Sequence, residues 1–403
     1  MTNFGLQTSS YTLAYPQFQE RTTLVGLYTL GVGLMVLLVG YATPDLRLMV
    51  YDIPLNPLIF AFAALSLFVC RGQVFGTCLL YWLPLLVCLV PLLWSPNPDY
   101  GRFKAFNFLA TTLIASALLG EAVAQLGLVR FQRALVVVLL ALLLAAVVFK
   151  ARYGFFDRQV HFFMNGPIVF ARLMGIGAVM AFFGFQRVMR WALVLLFVAA
   201  MIWTSSKGPV VALLAMAGLL CLMRFWNWRR GMILLMIGVI SFTAYLNRET
   251  MLEMPVLNRY AMAMDPDDAR NRGSLHHRLE LWDEAVQKIR RYPFTGTGLG
   301  GGTPYEGERQ SGYRVGQGAV SYPHNLPLEV FSEMGLIFGA VFMVPFLLLL
   351  RSPFSPMGAC ALYLLLASMT TGDILDGRYP AVWAMLASLA LVLQRDGTIS
   401  PGR

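Results

Sequence analysis

Apolar runs of about 18–20 residues recur along this chain, the length a helix needs to cross the hydrocarbon core of a bilayer. Twelve can be read, near 24–41, 54–70, 74–94, 105–123, 132–149, 167–185, 190–206, 208–223, 232–247, 325–350, 356–372 and 379–394. Pro84 and Pro91 interrupt the third run and 105–123 is only modestly apolar, so ten or eleven spans are also open. Charged residues make up 13% of the 403, about half the usual share of a soluble domain, and mean hydropathy is +0.64. Lipid is therefore the solvent expected for most of the chain. The fold class this implies is all-α, a polytopic membrane protein of about 12 transmembrane helices.

Orientation follows from the arginines of the short loops. With the N-terminus inside, one side carries Arg71, Arg130, Arg133, Arg187, Arg190, Arg224, Arg229, Arg230, Arg351 and Arg395 with few acids, as the positive-inside rule requires. The division expected is residues 1–247 for helices 1–9, 248–322 for one large loop on the opposite side, and 323–403 for helices 10–12 with a short inside tail. Within the loop, Leu279, Trp282, Val286 and Ile289 recur at helical spacing after Gly273-Ser274, read as a helix start. The run from Gly296 to Gly302 is too rich in glycine for a helix. No cleavable leader is expected, because polar residues up to Arg21 precede a full-length apolar run.

The formal charge is +10, from 31 Lys+Arg against 21 Asp+Glu. In this setting it points to the lipid bilayer, with anionic head groups as partners, and no nucleic acid is expected. The five cysteines lie in or beside apolar runs and show no metal-ligand spacing.

The informative residues are ionisable groups that orientation does not require. Arg102, Lys104, Lys150, Arg152, Arg158, Arg172, Lys207 and Arg278 all fall on the disfavoured side, which suggests an anion held there. Lys104, Lys150 and Arg158 are read as interface residues with snorkelling side chains. Lys207, in the tight turn Trp203-Thr204-Ser205-Ser206-Lys207-Gly208, is read as functional.

Only four histidines occur, and His276 and His277 are adjacent and so diverge on a helix. His324 opens a span behind Pro323; by itself such a residue is an interface or capping group. Asp265-Pro266-Asp267 reads as a surface turn; Asp373 and Asp376 are the one acidic pair of note on that side, and Asp376–Arg378 reads as a turn. Gly296-Thr297-Gly298-Leu299-Gly300 lacks the strand–turn–helix setting of a dinucleotide loop.

One ordered set of motifs changes the weight on these residues. Arg278-Leu279-x-x-Trp282-x-x-Ala285, Tyr292-Pro293-Phe294-Thr295-Gly296-Thr297-Gly298, His324-Asn325-Leu326-Pro327-Leu328-Glu329 and Glu333-x-Gly335 together resemble the O-antigen ligase/polymerase superfamily, over roughly residues 200–345. The resemblance implies a glycosyltransferase at the periplasmic face of the bacterial inner membrane. Its donor would be a glycan on undecaprenyl pyrophosphate, and a ligase would pass that glycan to a sugar hydroxyl of lipid A–core oligosaccharide. His324 matches the family's essential histidine and Arg278 its loop arginine. Lys207 stands where the family has a second arginine, so charge is kept but the bidentate fork is lost.

The mechanism expected is inverting, with His324 as general base, Arg278 and Lys207 on the diphosphate, Arg172 and Arg152 as further cations, and Asn325 counted among the binding residues. Neither a metal nor a cofactor is expected. The alternatives are an O-antigen polymerase using the same donor, a protein O-oligosaccharyltransferase, and a lipid or polysaccharide transporter.

Overall fold

The structure is a computed structural model of the chain. It describes residues 16–39, 47–48, 53–69, 75–156, 166–224, 248–254, 269–301, 303–304, 313–315, 318–347 and 352–395. The ninth apolar run (232–247), Arg158, His161 and Asp265-Pro266-Asp267 lie outside them.

Helices carry the fold. They are α1 (Pro16–Val39), α2 (Leu55–Val69), α3 (Phe75–Trp82), α4 (Pro98–Leu126), α5 (Leu128–Tyr153), α6 (Gly166–Gly184), α7 (Arg187–Trp203) and α8 (Lys207–Arg224). After them come α9 (Arg248–Glu253), α10 (Ala269–Arg291), α11 (Leu326–Leu347), α12 (Pro356–Thr371) and α13 (Arg378–Arg395). Every apolar run except the ninth falls on one of these helices. The third is divided: α3 passes at Leu83 into a 3₁₀ segment, Leu83–Trp94, containing Pro84 and Pro91. Each proline lacks an N–H to donate to the ladder, which accounts for the loss of regular α-helix there.

Among the described residues four helices, α4, α5, α6 and α11, are long and apolar enough to cross a membrane. Other apolar stretches are shorter, at 10–17 residues: Thr23–Leu38 in α1, Leu58–Phe68 in α2, Leu80–Trp94, Lys207–Met223 in α8 and Pro356–Thr371, which is α12. The outward side chains agree with an apolar surround: Phe68, Leu93 and Val188 are each more than four-fifths exposed.

Local chemistry sets the ends. Asn97 caps α4 by accepting from the Tyr100 amide at 3.2 Å, with Pro98 in the first turn. Gly127, at φ 71°, separates α4 from α5. Ser355 caps α12 by accepting from the Gly358 amide at 3.0 Å. The sequence start signal for α10 is corrected: the helix begins at Ala269, so Gly273-Ser274 is inside it. Five strands of two to four residues were not expected. Arg47–Leu48 pairs with Ile53–Pro54, and Gly318–Ser321 lies antiparallel between Thr303–Pro304 and Tyr313–Val315.

Two apolar cores matter for the site. The larger gathers buried residues of α1, α4, α5, α6, α7, α12 and α13. The smaller joins Leu85 and Cys88 of the 3₁₀ segment, Phe108 of α4 and Leu299 to Leu326, Val330, Met334 and Phe342 of α11, and includes Ile374. That second core seats the start of α11 beside the glycine-rich segment and the α12–α13 turn.

Candidate functional site

His324 sits in the turn before α11. Asn325 caps the helix, its Oδ1 accepting from the Leu328 amide at 3.2 Å, and Pro327 occupies the first turn. His324 itself is at φ 52°, in the left-handed region that few non-glycine residues occupy. Such a conformation persists only where the surroundings hold it. Two of those holds are visible: the imidazole lies 4.2 Å, centroid to centroid, from the Tyr322 ring, and Trp282 of α10 donates from Nε1 to the Pro323 carbonyl at 2.8 Å. Arg278 is one helical turn before Trp282, and it and His324 are both half-buried.

The glycine-rich segment docks onto a break in α11. At Gly335 (φ 69°, ψ 179°) the helix loses its register. The Leu336 amide, which would otherwise donate to Ser332, donates to the Pro293 carbonyl at 2.7 Å. The freed carbonyls of Ser332 and Glu333 accept instead from the Thr297 and Gly298 amides, both at 2.9 Å. The approach admits no side chain: a Cβ on Gly335 would stand 2.4 Å from the Phe294 carbonyl, and one on Gly296 2.4 Å from that of Glu333. This is the backbone-level reason for the glycines of Pro-x-x-Gly-x-Gly and Glu-x-Gly.

Beneath that junction lies a buried charge network. Lys104 Nζ pairs with Glu329 and, at 2.8 Å, with Glu333, all three being essentially inaccessible. Glu333 Oε2 also accepts from the Gly300 amide at 3.0 Å, and Glu329 Oε2 from the Ile374 amide at 2.8 Å. The interface reading of Lys104 is thereby corrected. Lys150 is corrected too, since it is buried with its ammonium 5.8 Å from the Trp203 ring centre. A snorkelling side chain needs a path to water, and neither has one. The sequence reading missed Glu329 and Glu333 as charged partners. The available signal was their i, i+4 spacing on an otherwise apolar helix, because two buried carboxylates on one face demand a cation.

A second group surrounds Arg172, buried in α6. Its Nη1 donates to Asp376 at 2.8 Å and its Nη2 to Thr371 Oγ1 at 3.0 Å, while Nε is buried with no partner among the described residues. Lys207 opens α8 after Ser205, which is at φ 53°. Its neighbour Gly208 packs on Thr370 and Thr371, so the Lys207 turn and the Arg172 fork meet the same end of α12.

The side chains of the expected Asp376–Arg378 turn are directed to different groups. Asp376 turns to Arg172, and Arg378 donates to the carbonyls of Leu37 and Leu375 and to the Tyr379 hydroxyl. The turn itself is present, closed by the Asp376 amide donating to Asp373 Oδ1 at 2.7 Å. Burial, and then the charge of Asp376, push the Asp373 carboxyl up to about 6.

The structure thus brings Arg172 and the Lys207 turn together, and ties the His324 helix to that region through Glu329 and Ile374. Arg152 stays apart: it is exposed, 5.5 Å from the ring centre of its own neighbour Tyr153. Among the described residues no three His, Cys, Asp or Glu side chains group as a metal site.

A family model described as O-antigen ligase matches residues 191–344. Over that segment the chain is similar to an O-antigen ligase domain, which supports membership of the O-antigen ligase/polymerase superfamily. That domain runs from α7 into α11 and contains Lys207, Arg278, the glycine-rich segment, His324, Glu329 and Glu333. Lys104, Arg172 and the turn at 372–377 fall outside it, on α4, α6 and the α12–α13 connection. No curated protein and no solved structure matches the chain significantly.

Proposed function

We propose that this chain is an inverting glycosyltransferase that moves O-antigen polysaccharide from undecaprenyl pyrophosphate to a sugar hydroxyl of lipid A–core oligosaccharide. It would act at the periplasmic face of the inner membrane, within about twelve spans and beneath a partly helical loop at 248–322. The observation that carries this reading is the shared anchoring of the His324 turn, the glycine-rich segment of the ligase domain and the turn that receives Arg172.

The acceptor hydroxyl oxygen attacks the anomeric carbon as the bond to the pyrophosphate oxygen breaks. His324 takes the hydroxyl proton, a contribution of about 10²- to 10⁴-fold for a positioned base. Arg278, Lys207 and Arg172 hold the diphosphate and balance its growing charge, while Arg152 guides the head group from the surface. Asn325 fixes the turn that presents the imidazole and lies within reach of the bound sugar. These cations supply the charge a metal would otherwise supply, so turnover in EDTA is expected to match that in buffer.

A polymerase, with the same donor and a lipid-linked glycan as acceptor, is the second reading. Lipopolysaccharide from a strain lacking the gene separates the readings on a gel. Core alone, with lipid-linked polymer accumulating, is the ligase outcome. Core bearing one repeat is the polymerase outcome. An unchanged ladder would overturn both and leave transport.

A further inference from the structure

Lys104 is one of the most deeply buried cations in the molecule, and nothing assigned above uses it chemically. It lies on α4, 225 residues from Glu329 and 229 from Glu333, in a helix that the ligase domain does not include. Its ammonium has three donors, taken up by one oxygen of Glu329 and both oxygens of Glu333, the last two at 2.8 and 2.9 Å.

Each carboxylate has a second duty. Glu333 receives the Gly300 amide of the glycine-rich segment, and Glu329 receives the Ile374 amide of the turn whose Asp376 holds Arg172. Three separate pieces of chain are therefore gathered on one ammonium. The first two turns of α11, which begin at the His324 turn, lie between them.

We propose that Lys104 is a positioning residue: by holding Glu329 and Glu333 together it locks the start of α11, and with it the His324 turn, to the glycine-rich segment and to the Asp373–Asp376 turn. The proposal rests on the function given above. Its physical basis is that two buried carboxylates one turn apart repel each other, and a buried charge stripped of its partner is strongly unfavourable. Without the ammonium the carboxylates seek water or protons, and the Gly300 and Ile374 amides lose charged acceptors. The left-handed backbone at His324 persists only while its surroundings hold it, so it responds to that loss.

The test uses the full-length protein in nanodiscs, as wild type, Lys104→Met and Glu333→Gln. Glu333→Gln leaves a neutral Lys104–Glu329 pair and nearly unchanged volume, so it remains readable should Lys104→Met not fold. Its amide nitrogen replaces the acceptor Oε1 with a donor facing the Lys104 ammonium, so at least one of the two Lys104–Glu333 contacts is lost. Amide exchange at 299–301 and 372–376 is expected to accelerate at least tenfold in each folded variant, with α5 to α7 unchanged. In transfer assays kcat is expected to fall on the order of a hundredfold, as misplacement of a reacting group by about 1 Å can cause, with the donor KM within threefold of wild type.

Unchanged exchange at both segments, or wild-type kcat in folded Glu333→Gln, would overturn the lock. A uniform rise in exchange across all helices would show a merely structural residue, and equally overturn it. If wild type itself transfers no glycan, the functional reading fails, while the exchange measurement still decides the lock.

Discussion

The indole of Trp282 donates to the Pro323 carbonyl at 2.8 Å, so the helix that carries Arg278 is fastened to the residue before His324. A loop arginine and a span-opening histidine thereby share one rigid connection. Trp282→Phe keeps an aromatic ring but removes the donor and the pyrrole half of the indole; the lost hydrogen bond alone should cost about 1 kcal/mol of stability. Its effect on transfer is expected to be larger than its effect on folding: kcat lower by on the order of tenfold, because the imidazole loses one of its holds. Wild-type turnover in a purified assay would show the link to be incidental.

His324 and Arg278 should separate by kinetics. His324→Ala is expected to bind the lipid diphosphate donor as wild type does while losing at least about 10²-fold in kcat, the lower range for a general base. Arg278→Ala is expected to weaken donor binding first, since a charge-assisted contact to phosphate contributes to both ground and transition state. Single-turnover measurement with donor binding determined independently checks both; equal losses in binding for the two variants would contradict the assignment.

The helices were legible because long apolar runs favour them: eleven of the twelve runs lie on described helices, and four of the described helices are long and apolar enough to cross a membrane. His324, Arg278 and the glycine segment were legible through their ordered motifs. The charge partners were not. Lys104 meets Glu329 across 225 residues and Arg172 meets Asp376 across 204, and no local pattern encodes such pairings. Asp376 and Arg378 share the turn expected of them, yet their side chains reach different groups, Arg172 and the Leu37 carbonyl. The start of α10 was misplaced because Gly273-Ser274 is a local stop-and-start signal that the surrounding helix overrides.

Gly335 and Gly127 offer a controlled comparison. Both have φ near 70° with extended ψ, a region essentially reserved for glycine, so alanine at either should carry a similar backbone strain of about 1–3 kcal/mol. Only Gly335 has a neighbour in the way: its Cβ would meet the Phe294 carbonyl carbon and oxygen at 2.4 Å, whereas nothing stands within 4 Å at Gly127. Gly335→Ala is therefore expected to lower the melting temperature well beyond Gly127→Ala and to release the 294–298 segment to protease. Equal shifts would mean that the docking of this segment contributes little.

Asp373 gives a pH dependence with a definite sign. Burial and the neighbouring Asp376 charge hold its proton on up to about 6 in the folded protein, above the ordinary aspartate value near 4 of an unfolded chain; the hydrogen bond from the Asp376 amide, then Lys104 and Arg378, oppose this less strongly. Below about pH 4 both states are protonated and stability is undiminished. As pH rises from about 4 to 6 the unfolded chain releases the proton first, so stability falls, reaching a full penalty on the order of 3 kcal/mol above that window. Asp373→Asn mimics the protonated form and keeps an oxygen for the Asp376 amide, which Asp373 Oδ1 accepts at 2.7 Å. It is expected to melt higher than wild type at pH 7, by several degrees, and to match it near pH 4. Thermal unfolding in detergent across that range measures the difference. A variant less stable than wild type at pH 7 would mean that the ionised carboxylate stabilises the fold, the opposite of what its burial implies.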